Sequence, residues 1–461
     1  MIRLFSLCVL LGGILACSVP HRPIHTEPVA QDTIHATDTG AVAAEVKPPV
    51  KDSQAKDAPL VAPKAPQRKV RVAVKRDQKE LRSISYGRAR LRSGDREIRL
   101  PAGALSFSSV AAGRVSVSGH GRQAELTLPC TLTVVEDAAV VDIGETTYRG
   151  GLILKEDAAG MLVINYVPVE QYLRGVVPLE IGQRSMREVH AMKAQAVAAR
   201  TYTYRKMEER KKDAFDLVAT VQDQVYGGVF AEYRGSDHAV RHTAGLVMYS
   251  GDSLVEAFYH STCGGKTANI EDVWRTNARS YLTSQADTHG SGVSWCAHSP
   301  RYTWEERWER DAFEKMLYEQ SRKIDGYEAF SGSLTGVAVT QRASCGRILA
   351  CRITSTTGEW EYGGDRIRHL FRHPETGGIL HSAHFSITLN ENTVVARGKG
   401  FGHGIGMCQM GAIGQARAGL SFSDILQGYY GGTKIKKSMK RRSDSIIFEM
   451  VSFLMADCEC S

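Results

Sequence analysis

The first stretch that could carry chemistry is VVPLEIGQRS at residues 176–185, because a single carboxylate, Glu180, stands there among apolar neighbours. Its flanking Val, Leu and Ile side chains could form an apolar wall, and desolvation raises the pKa of a carboxyl group towards that of a general acid. A helix N-terminus nearby would have the opposite effect, because it favours the ionised form. An isolated Glu in a turn is usually structural, so the spacing alone does not make Glu180 catalytic.

Two short clusters of Cys and His indicate a second kind of chemistry. VEAFYHSTCGGKT contains His260 and Cys263, and VSWCAHSPRYTW contains Cys296 and His298. Two His and two Cys are a ligand set for tetrahedral zinc, with His289 as a substitute for His298. A Cys263–Cys296 disulfide in an oxidising compartment and a set of unpaired thiols are the alternatives.

A glycine-rich stretch, ARGKGFGHGIGMCQMGAIGQ from residue 396, presents His403 and Gln409 as polar side chains. Its alternating glycines allow a positive φ and a close approach of the backbone to a ligand. The stretch lacks the G-K-[ST] ending of a Walker loop and the G-x-G-x-x-G of a dinucleotide site. A glycine-rich turn packed in the core is the alternative interpretation.

The elements that would position these residues can be predicted from their patterns. Ser185 and Glu188 fit a capping box, and apolar residues at helical spacing predict a helix over 185–211, with Glu180 in the loop five residues before it. From Val70 to Val167, short runs of alternating polarity broken by Gly, Asp and Pro predict antiparallel strands. Short helices are expected at 412–418 and 423–430. Together these predict an α+β fold with a β-rich N-terminal module.

Composition and the N-terminus bear on location. The chain has 461 residues and a net charge of +8, which suits an anionic partner without choosing among such partners. Residues 1–17 have one early Arg, an apolar run and a final Ile-Leu-Ala-Cys, which predicts a lipoprotein signal with Cys17 lipidated. An ordinary secretory signal is the alternative. Residues 18–68, rich in Pro, Ala, Asp, Lys and Thr, predict a disordered tether from an envelope membrane.

Taken together, PLEIGQ…AMKAQAVAARTY, EAFYHSTCGGKT and GFGHGIGMCQMGA…ILQGYYGGTKI resemble the family of stage II sporulation protein D (SpoIID) and the amidase enhancer. The resemblance is collinear over about residues 70–435. It implies a peptidoglycan lytic transglycosylase that leaves 1,6-anhydro-N-acetylmuramic acid ends on glycan without stem peptides. It also implies that the glutamate of the VVP-x-E position, here Glu180, acts as acid and then as base.

The same resemblance suggests which side chains line a substrate groove. These candidates are Arg200, Gln195, Ser261, His403, Gln409 and Tyr429, with Arg200 and Gln409 favoured. Ile181 and Gly182 depart from the methionine and proline typical of the family, and Cys408 stands where serine is common. The implied partners are glycan strands, a membrane through the lipid anchor and a cell-wall amidase, with no nucleic acid.

The predicted organisation divides the chain into seven parts. They are a signal at 1–17, a linker at 18–68, a β-rich part at 69–167, a catalytic core at 168–304, a β-containing insertion at 305–395, the glycine-rich closure at 396–435 and a tail at 436–461. Within the insertion, Cys345 and Cys351 could pair.

Two further functions remain open at this stage. One is a non-catalytic binder that activates a peptidoglycan amidase. The other is a zinc hydrolase, which is disfavoured because four protein ligands close a zinc ion to water and no H-E-x-x-H helix is present. The chemistry expected of Glu180 requires no cofactor, so a zinc ion, if bound, would be structural.

Overall fold

The computed structural model describes residues 68–136, 138–274 and 276–438. The predicted signal, Cys17, the linker and nearly all of the tail lie outside the described residues. Among the described helices, none combines the length and the apolar character that a membrane crossing requires.

The N-terminal part consists of antiparallel strands, as the alternating pattern predicts. Their bounds are β1 Lys69–Gln78, β2 Glu80–Ser85, β3 Ala89–Ser93, β4 Arg96–Leu100, β5 Gly103–Ala111, β6 Arg114–Gly119, β7 Arg122–Thr127, β8 Cys130–Val134, β9 Val140–Asp142, β10 Thr147–Arg149, β11 Gly151–Asp157 and β12 Gly160–Pro168. Strand β3 illustrates the alternating pattern of the sequence. Ala89, Leu91 and Ser93 are buried, whereas Arg90 and Arg92 are exposed.

These strands form two sheets. A seven-stranded sheet has the order β13-β1-β12-β11-β8-β3-β4, where β13 is the short strand Leu217–Val218, which runs parallel to β1. A six-stranded sheet has the order β10-β9-β2-β5-β6-β7. Apolar side chains from both sheets enter one hydrophobic core, which the helices that follow complete.

Two helices come directly after β12 and differ from the sequence prediction. Helix α1 spans Val169–Glu180, so Glu180 ends a helix and does not lie in a loop. A 3₁₀ turn at Met186–Glu188 then leads into α2, Val189–Glu209. The predicted capping box is wrong, because the Ser185 side chain makes no capping hydrogen bond and the Glu188 carboxylate is paired with Arg417.

Helix α2 is the central element of the larger core. Its residues from Ala194 to Tyr204 are all buried, so the helix is covered on every side. The run AQAVAARTYTY explains this, because small alanines allow neighbouring elements to approach the helix from several directions. Helix α2 therefore contacts α1 and also three later elements, Leu246–Ser250, Gln409–Arg417 and Phe422–Tyr429.

The chain after α2 contributes shorter elements to the same core. They are a 3₁₀ turn Gly228–Ala231, α3 Arg234–His242, β14 Leu246–Ser250, β15 Ser253–Leu254, β16 Tyr259–His260 and α4 Ile270–Val273.

The segment from Thr303 to Lys399 has a second hydrophobic core of its own. Its elements are β17 Thr303–Glu309, α5 Arg310–Ser321, β18 Leu334–Arg342, β19 Ile348–Ser355, β20 Glu359–Tyr362, a 3₁₀ turn Gly364–Arg366, α6 Ile367–Leu370, β21 Phe385–Leu389 and β22 Thr393–Lys399. They make two three-stranded sheets, β17-β22-β21 and β18-β19-β20. Cys345 and Cys351 are both buried and are not joined.

The glycine-rich stretch returns the chain to the larger core. It ends in β23 Met407–Cys408, which pairs in parallel with β16, and continues into α7 Gln409–Arg417 and α8 Phe422–Tyr429. A last strand, β24 Lys434–Lys437, pairs with β14. The described residues thus form an α+β fold, as predicted, and the two short helices lie where the sequence placed them, to within a few residues.

Candidate functional site

Glu180 lies at the buried C-terminal end of α1. Its side chain is 0% exposed, and its Oε1 accepts a hydrogen bond of 2.9 Å from the backbone N–H of Val225. The helix ends here because Gly182 adopts a φ of +79°, the left-handed conformation that terminates many helices. The departure of Gly182 from the family pattern therefore has a local structural role.

Burial changes the protonation of this carboxyl group. Desolvation raises the pKa of Glu180 from 4.5 to about 8, and the Val225 N–H and the side chains of Tyr259 and Gln409 only partly oppose the rise. At neutral pH the carboxyl group is therefore mostly protonated. A protonated carboxyl in this pKa range can act as a general acid near neutral pH.

Two predicted residues, Gln195 and Gln409, meet beside Glu180. Gln195 comes from α2 and Gln409 is the first residue of α7, and the Gln409 amide donates to Gln195 Oε1 over 3.4 Å. Within the described part of the chain, Glu180 Oε2, Gln195 Nε2 and Gln409 Oε1 have no hydrogen-bond partner. Three buried polar atoms left in this condition are costly, and such groups are common where a ligand supplies the missing bonds.

A series of buried polar side chains extends from this group, and no sequence motif indicated it. The Tyr259 hydroxyl accepts a hydrogen bond of 3.0 Å from the amide of Gln224. Gln224 Oε1 in turn accepts from the hydroxyls of Tyr172, at 3.2 Å, and Thr203, at 2.9 Å. Tyr172 is on α1 and Thr203 is on α2, so this series ties Tyr259 to the two helices that carry Glu180 and Gln195.

Arg200, one of the two favoured groove residues, is not part of this site. Its guanidinium makes two hydrogen bonds to the Glu170 carboxylate, of 2.8 and 2.7 Å, and further bonds to backbone carbonyls of Val240 and Leu246. The side chain is fully buried. Five residues separate Arg200 from Gln195 along the helix, so the two side chains leave α2 in different directions.

His403 and Ser261 serve the backbone in this structure. Each ring nitrogen of His403 is engaged, Nε2 with the Tyr259 carbonyl at 3.0 Å and Nδ1 with the N–H of Ile405 at 3.0 Å. Burial lowers the pKa of His403 to about 3, so the ring is neutral. The Ser261 hydroxyl contacts the Thr262 hydroxyl, and the Ser261 carbonyl accepts a hydrogen bond of 3.0 Å from the Met410 N–H. The two residues hold the glycine-rich stretch against β16.

The predicted zinc ligands are only half brought together. Cys263 and Cys296 have sulfurs 3.5 Å apart and are not joined, but neither histidine is with them. His260 Nδ1 faces the Ile405 carbonyl at 3.1 Å, and the exposed His298 bonds to the Trp295 carbonyl. The substitute, His289, contacts Ser291. The ligand set His260, Cys263, Cys296 and His298 is therefore wrong as a set.

Two residues that the sequence analysis did not assign to this cluster complete it. Ligand atoms of Cys263, Asp287, Cys296 and Cys408 all lie within 4.8 Å of one another, and all four residues are buried. Tyr429, expected in the groove, instead donates a hydrogen bond of 2.6 Å from its hydroxyl to Asp287 Oδ1. Cys408 was visible in the motif GMCQMGA, but Asp287 lies in a loop whose pattern offers no signal.

Hydrogen-bond donors surround the Cys296 sulfur. The thiols of Cys263 and Cys408 and the backbone N–H groups of Gly264 and Gly265 lower the pKa of Cys296, whereas burial raises the pKa of the other two thiols. A lowered thiol pKa favours the thiolate, which is the form that binds metals.

A separate cleft of roughly 690 Å³ lies in the Thr303–Lys399 segment. Its lining includes the aromatic Trp304, His384 and the cationic side chains of Arg342, Arg397 and Lys399. Glu180 is not among the residues that line this cleft. The carboxyl group and the cleft are therefore distinct features of the molecule.

Comparison with known families gives two matches. Residues 157–249 match a family described as Stage II sporulation protein, which covers α1, α2 and Glu180. Residues 291–406 match a family described as a domain of unknown function, and this match covers the whole segment with the second core.

Individual relatives span more of the chain. Stage II sporulation protein D of Bacillus subtilis is 29% identical over 335 residues, which cover 69% of this chain and 89% of that protein. The amidase enhancer of Bacillus subtilis is 30% identical over 297 residues, but the match covers only 40% of its length. An uncharacterized protein of Brachyspira hyodysenteriae is 28% identical over 291 residues, or 72% of its length.

Proposed function

Because the chain belongs to a SpoIID-type family, we propose that it is a peptidoglycan lytic transglycosylase in which Glu180 is the general acid and then the general base. The substrate is the bond between N-acetylmuramic acid and N-acetylglucosamine in glycan strands that lack stem peptides. Glu180 protonates the leaving oxygen. It then accepts the proton of the muramic acid C6 hydroxyl as that oxygen closes on C1 to form the anhydro ring.

The observation that carries the proposal is the protonated, fully buried carboxyl of Glu180. A pKa of about 8 keeps the proton available at neutral pH, which an exposed glutamate could not do. The unpartnered atoms of Gln195 and Gln409 beside it would hydrogen bond to sugar hydroxyls and hold the glycosidic oxygen near the acid.

The need for only one carboxylate also supports this reaction. Glycoside hydrolases use a pair, one to protonate the leaving group and one to attack or to activate water. Among the described residues, the groups that set the pKa of Glu180 include no second carboxylate. Closure by the sugar's own hydroxyl removes the requirement for the second group.

Substrate binding requires the site to open. The Glu180 carboxyl is enclosed by Val225, Tyr259 and Gln409, which come from three different segments, so a glycan strand must displace at least one of them. Enclosure of the acid before binding maintains its raised pKa, and a bound sugar would keep water away from the carboxyl once the site has opened.

The cleft in the second core fits an anionic glycan. Muramic acid without its stem peptide carries a free lactyl carboxylate, so the denuded strand is a polyanion. Arg342, Arg397 and Lys399 would attract these carboxylates, and Trp304 offers an aromatic side chain for contact with a sugar ring.

The second candidate function is a non-catalytic binder that stimulates a cell-wall amidase. The similarity to a protein named amidase enhancer and the enclosure of Glu180 favour it. This function would use the cleft and the surface without any bond cleavage at Glu180.

Incubation of the purified chain with denuded glycan strands separates the candidates. Detection of anhydro-ended fragments by mass spectrometry would support the transglycosylase. Fragments with reducing ends would mean hydrolysis and would require a second carboxylate. An intact glycan that is nevertheless bound, together with a stimulated amidase, would establish the binder.

We also propose that the chain is exported and held at an envelope membrane by a lipid on Cys17. The apolar run that ends in Ile-Leu-Ala-Cys supports this. Mass spectrometry of the mature N-terminal peptide should find acyl chains on Cys17, and an unmodified Cys17 in the mature protein would refute the anchor.

A further inference from the structure

Three chain segments that are distant in sequence bring four metal-ligating side chains to one buried point. Cys263 follows β16, Asp287 and Cys296 lie in the loops after α4, and Cys408 ends β23. Their side chains are between 0% and 2% exposed. Three thiols and a carboxylate thus share a small volume that solvent does not reach.

Ordinary core packing does not account for this group. A buried free cysteine commonly behaves as a small apolar side chain, but a buried carboxylate needs a compensating charge. Among the described residues, the side chains of Tyr429 and Cys263 hydrogen bond to Asp287, and neither is a cation. Within this part of the chain, the cluster therefore collects acidic groups without a cationic hydrogen-bond partner.

A disulfide between Cys263 and Cys296 would account for only part of this cluster. It would consume two of the thiols and leave Asp287 and Cys408 buried beside it with no added charge. A divalent cation bound by all four groups satisfies every member at once.

The distances agree with tetrahedral coordination. Zinc–sulfur bonds of about 2.3 Å place two sulfurs about 3.8 Å apart across a tetrahedron. The Cys263 and Cys296 sulfurs are 3.5 Å apart, and the Cys263 sulfur is 3.1 Å from Asp287 Oδ2. Closing all four around an ion needs side-chain adjustments of a fraction of an ångström to about one ångström, since all ligand atoms already lie within 4.8 Å of one another.

The groups around the cluster are those that support metal ligands. The Cys408 sulfur accepts backbone N–H bonds of 3.2 Å from Cys263 and 3.3 Å from Gly411, and the Cys263 sulfur accepts one of 3.3 Å from Gly265. The Tyr429 hydroxyl holds the second oxygen of Asp287. Hydrogen bonds of this kind orient ligands and offset the negative charge of a site with three thiolates and a carboxylate.

We propose that Cys263, Asp287, Cys296 and Cys408 bind one zinc ion as a structural site. Binding releases the thiol protons to solvent and forms three Zn–S bonds and one Zn–O bond, with no change of oxidation state. Four protein ligands leave no position for water, so the ion has no part in cleaving glycan.

The site also connects to the residues around Glu180. Cys408 is bonded directly to Gln409, and Cys263 follows the strand that carries Tyr259. A zinc ion would therefore fix the two segments that present Gln409 and Tyr259. This makes the ion a positioning element, independent of whether Glu180 cleaves glycan.

Metal analysis of the full purified chain tests the proposal. We expect about one zinc per chain in the wild type and a loss of most of it in Cys408→Ser. Cys351→Ser, which changes a buried cysteine outside the cluster, should retain the metal. His298→Ala should retain it as well, whereas the ligand set predicted from sequence requires a loss.

A cobalt titration covers the case in which Cys408→Ser does not fold. The metal-stripped wild-type chain should bind one Co²⁺ and show the visible absorption of tetrahedral thiolate coordination. A wild-type chain without zinc that gives no such absorption would overturn the proposal. So would a peptide map in which Cys263 and Cys296 are joined by a disulfide in the native protein.

Discussion

At the residue scale, the burial that makes Glu180 an acid also makes the stability of the fold depend on pH. A carboxyl group whose pKa is raised on folding, here from 4.5 to about 8, stabilises the fold fully below the lower value. That contribution is lost as the pH rises through the higher value, at up to about 1.4 kcal/mol per pH unit. The same ionisation removes the proton that the reaction needs.

The replacement Glu180→Gln tests this linkage because glutamine is a neutral group of the same shape. We expect its free energy of unfolding to exceed that of the wild type by an amount that grows between pH 5 and about pH 8. Urea denaturation at a series of pH values measures it. Glu188→Gln is the matched control, since it only breaks an ion pair with Arg417 and should not become more stabilising as the pH rises. A pH-independent difference for Glu180→Gln would contradict the raised pKa.

Arg200 shows that a buried charge can have a purely structural role. We expect Arg200→Met to lower the free energy of unfolding by about 3–5 kcal/mol, because it leaves the largely buried Glu170 carboxylate without its cationic partner. Arg114→Met, which breaks an ion pair with Glu125 that is exposed on both sides, should cost less than about 1 kcal/mol. Urea denaturation gives both values. Weaker glycan binding by Arg200→Met, with unchanged stability, would restore the groove role that the sequence suggested.

Only some of the residues at the site could be assigned to it from the sequence. Glu180, Gln195 and Gln409 lie in motifs that the sequence displays, and the structure brings them together. Asp287, Tyr259 and Gln224 could not be assigned in this way, because their roles depend on contacts between segments far apart in the chain. Arg200 and Tyr429 lie in the same motifs but face other partners, since a motif does not specify the direction of each side chain.

At the scale of the element, the glycines allow the backbone of the glycine-rich stretch to lie very close to the neighbouring segment before β16. Gly406 has a φ of +68°, and a Cβ there would collide with the Phe258 carbonyl next to β16. The pairing of β23 with β16 depends on this contact, and β23 leads directly to Gln409. The sequence indicated positive φ in this stretch, and the structure confirms it at Gly400, Gly402, Gly404 and Gly406.

A pair of glycine replacements tests this role. Gly406→Ala should destabilise the chain by at least about 1–3 kcal/mol, because it combines a strained φ with a collision. Gly428→Ala, in α8 with open space around it, should instead stabilise by about 0.5–1 kcal/mol. Thermal denaturation of both variants measures the difference, and equal effects would show that the close approach at Gly406 is unimportant.

The end of α1 marks a limit of prediction at this scale. The apparent capping box at Ser185 and Glu188 favoured a loop at Glu180, but α1 extends to Glu180, with Pro178 in its last turns. Tyr226 packs against Tyr172 of α1, and such a contact between distant segments is not contained in a local pattern.

At the scale of the whole molecule, the β-rich N-terminal part and the helices form one unit. The larger core takes side chains from β1 to β12 as well as from α1, α2, α7 and α8. Helix α1 begins where β12 ends, so Glu180 is positioned by this core. The strand pattern, the α+β class and the helical segments followed from periodicity, whereas the order of strands in the two sheets did not.

Removal of the N-terminal strands should therefore abolish the fold. A chain that begins at Val169 would expose the faces of Tyr172, Leu173 and Val176 that the strands now cover. We expect it to lose its near-ultraviolet circular dichroism and to aggregate. A soluble truncated chain with native near-ultraviolet circular dichroism would show that the helices have a core of their own.

The central claim, that Glu180 alone serves as acid and base, is tested most directly by comparing three chains on denuded glycan strands. The wild type and Glu188→Gln should release fragments with 1,6-anhydro-N-acetylmuramic acid ends, seen by mass spectrometry. Glu180→Gln should form these ends at least about 100-fold more slowly while still binding the strands. Anhydro ends formed at the wild-type rate by Glu180→Gln would contradict the account.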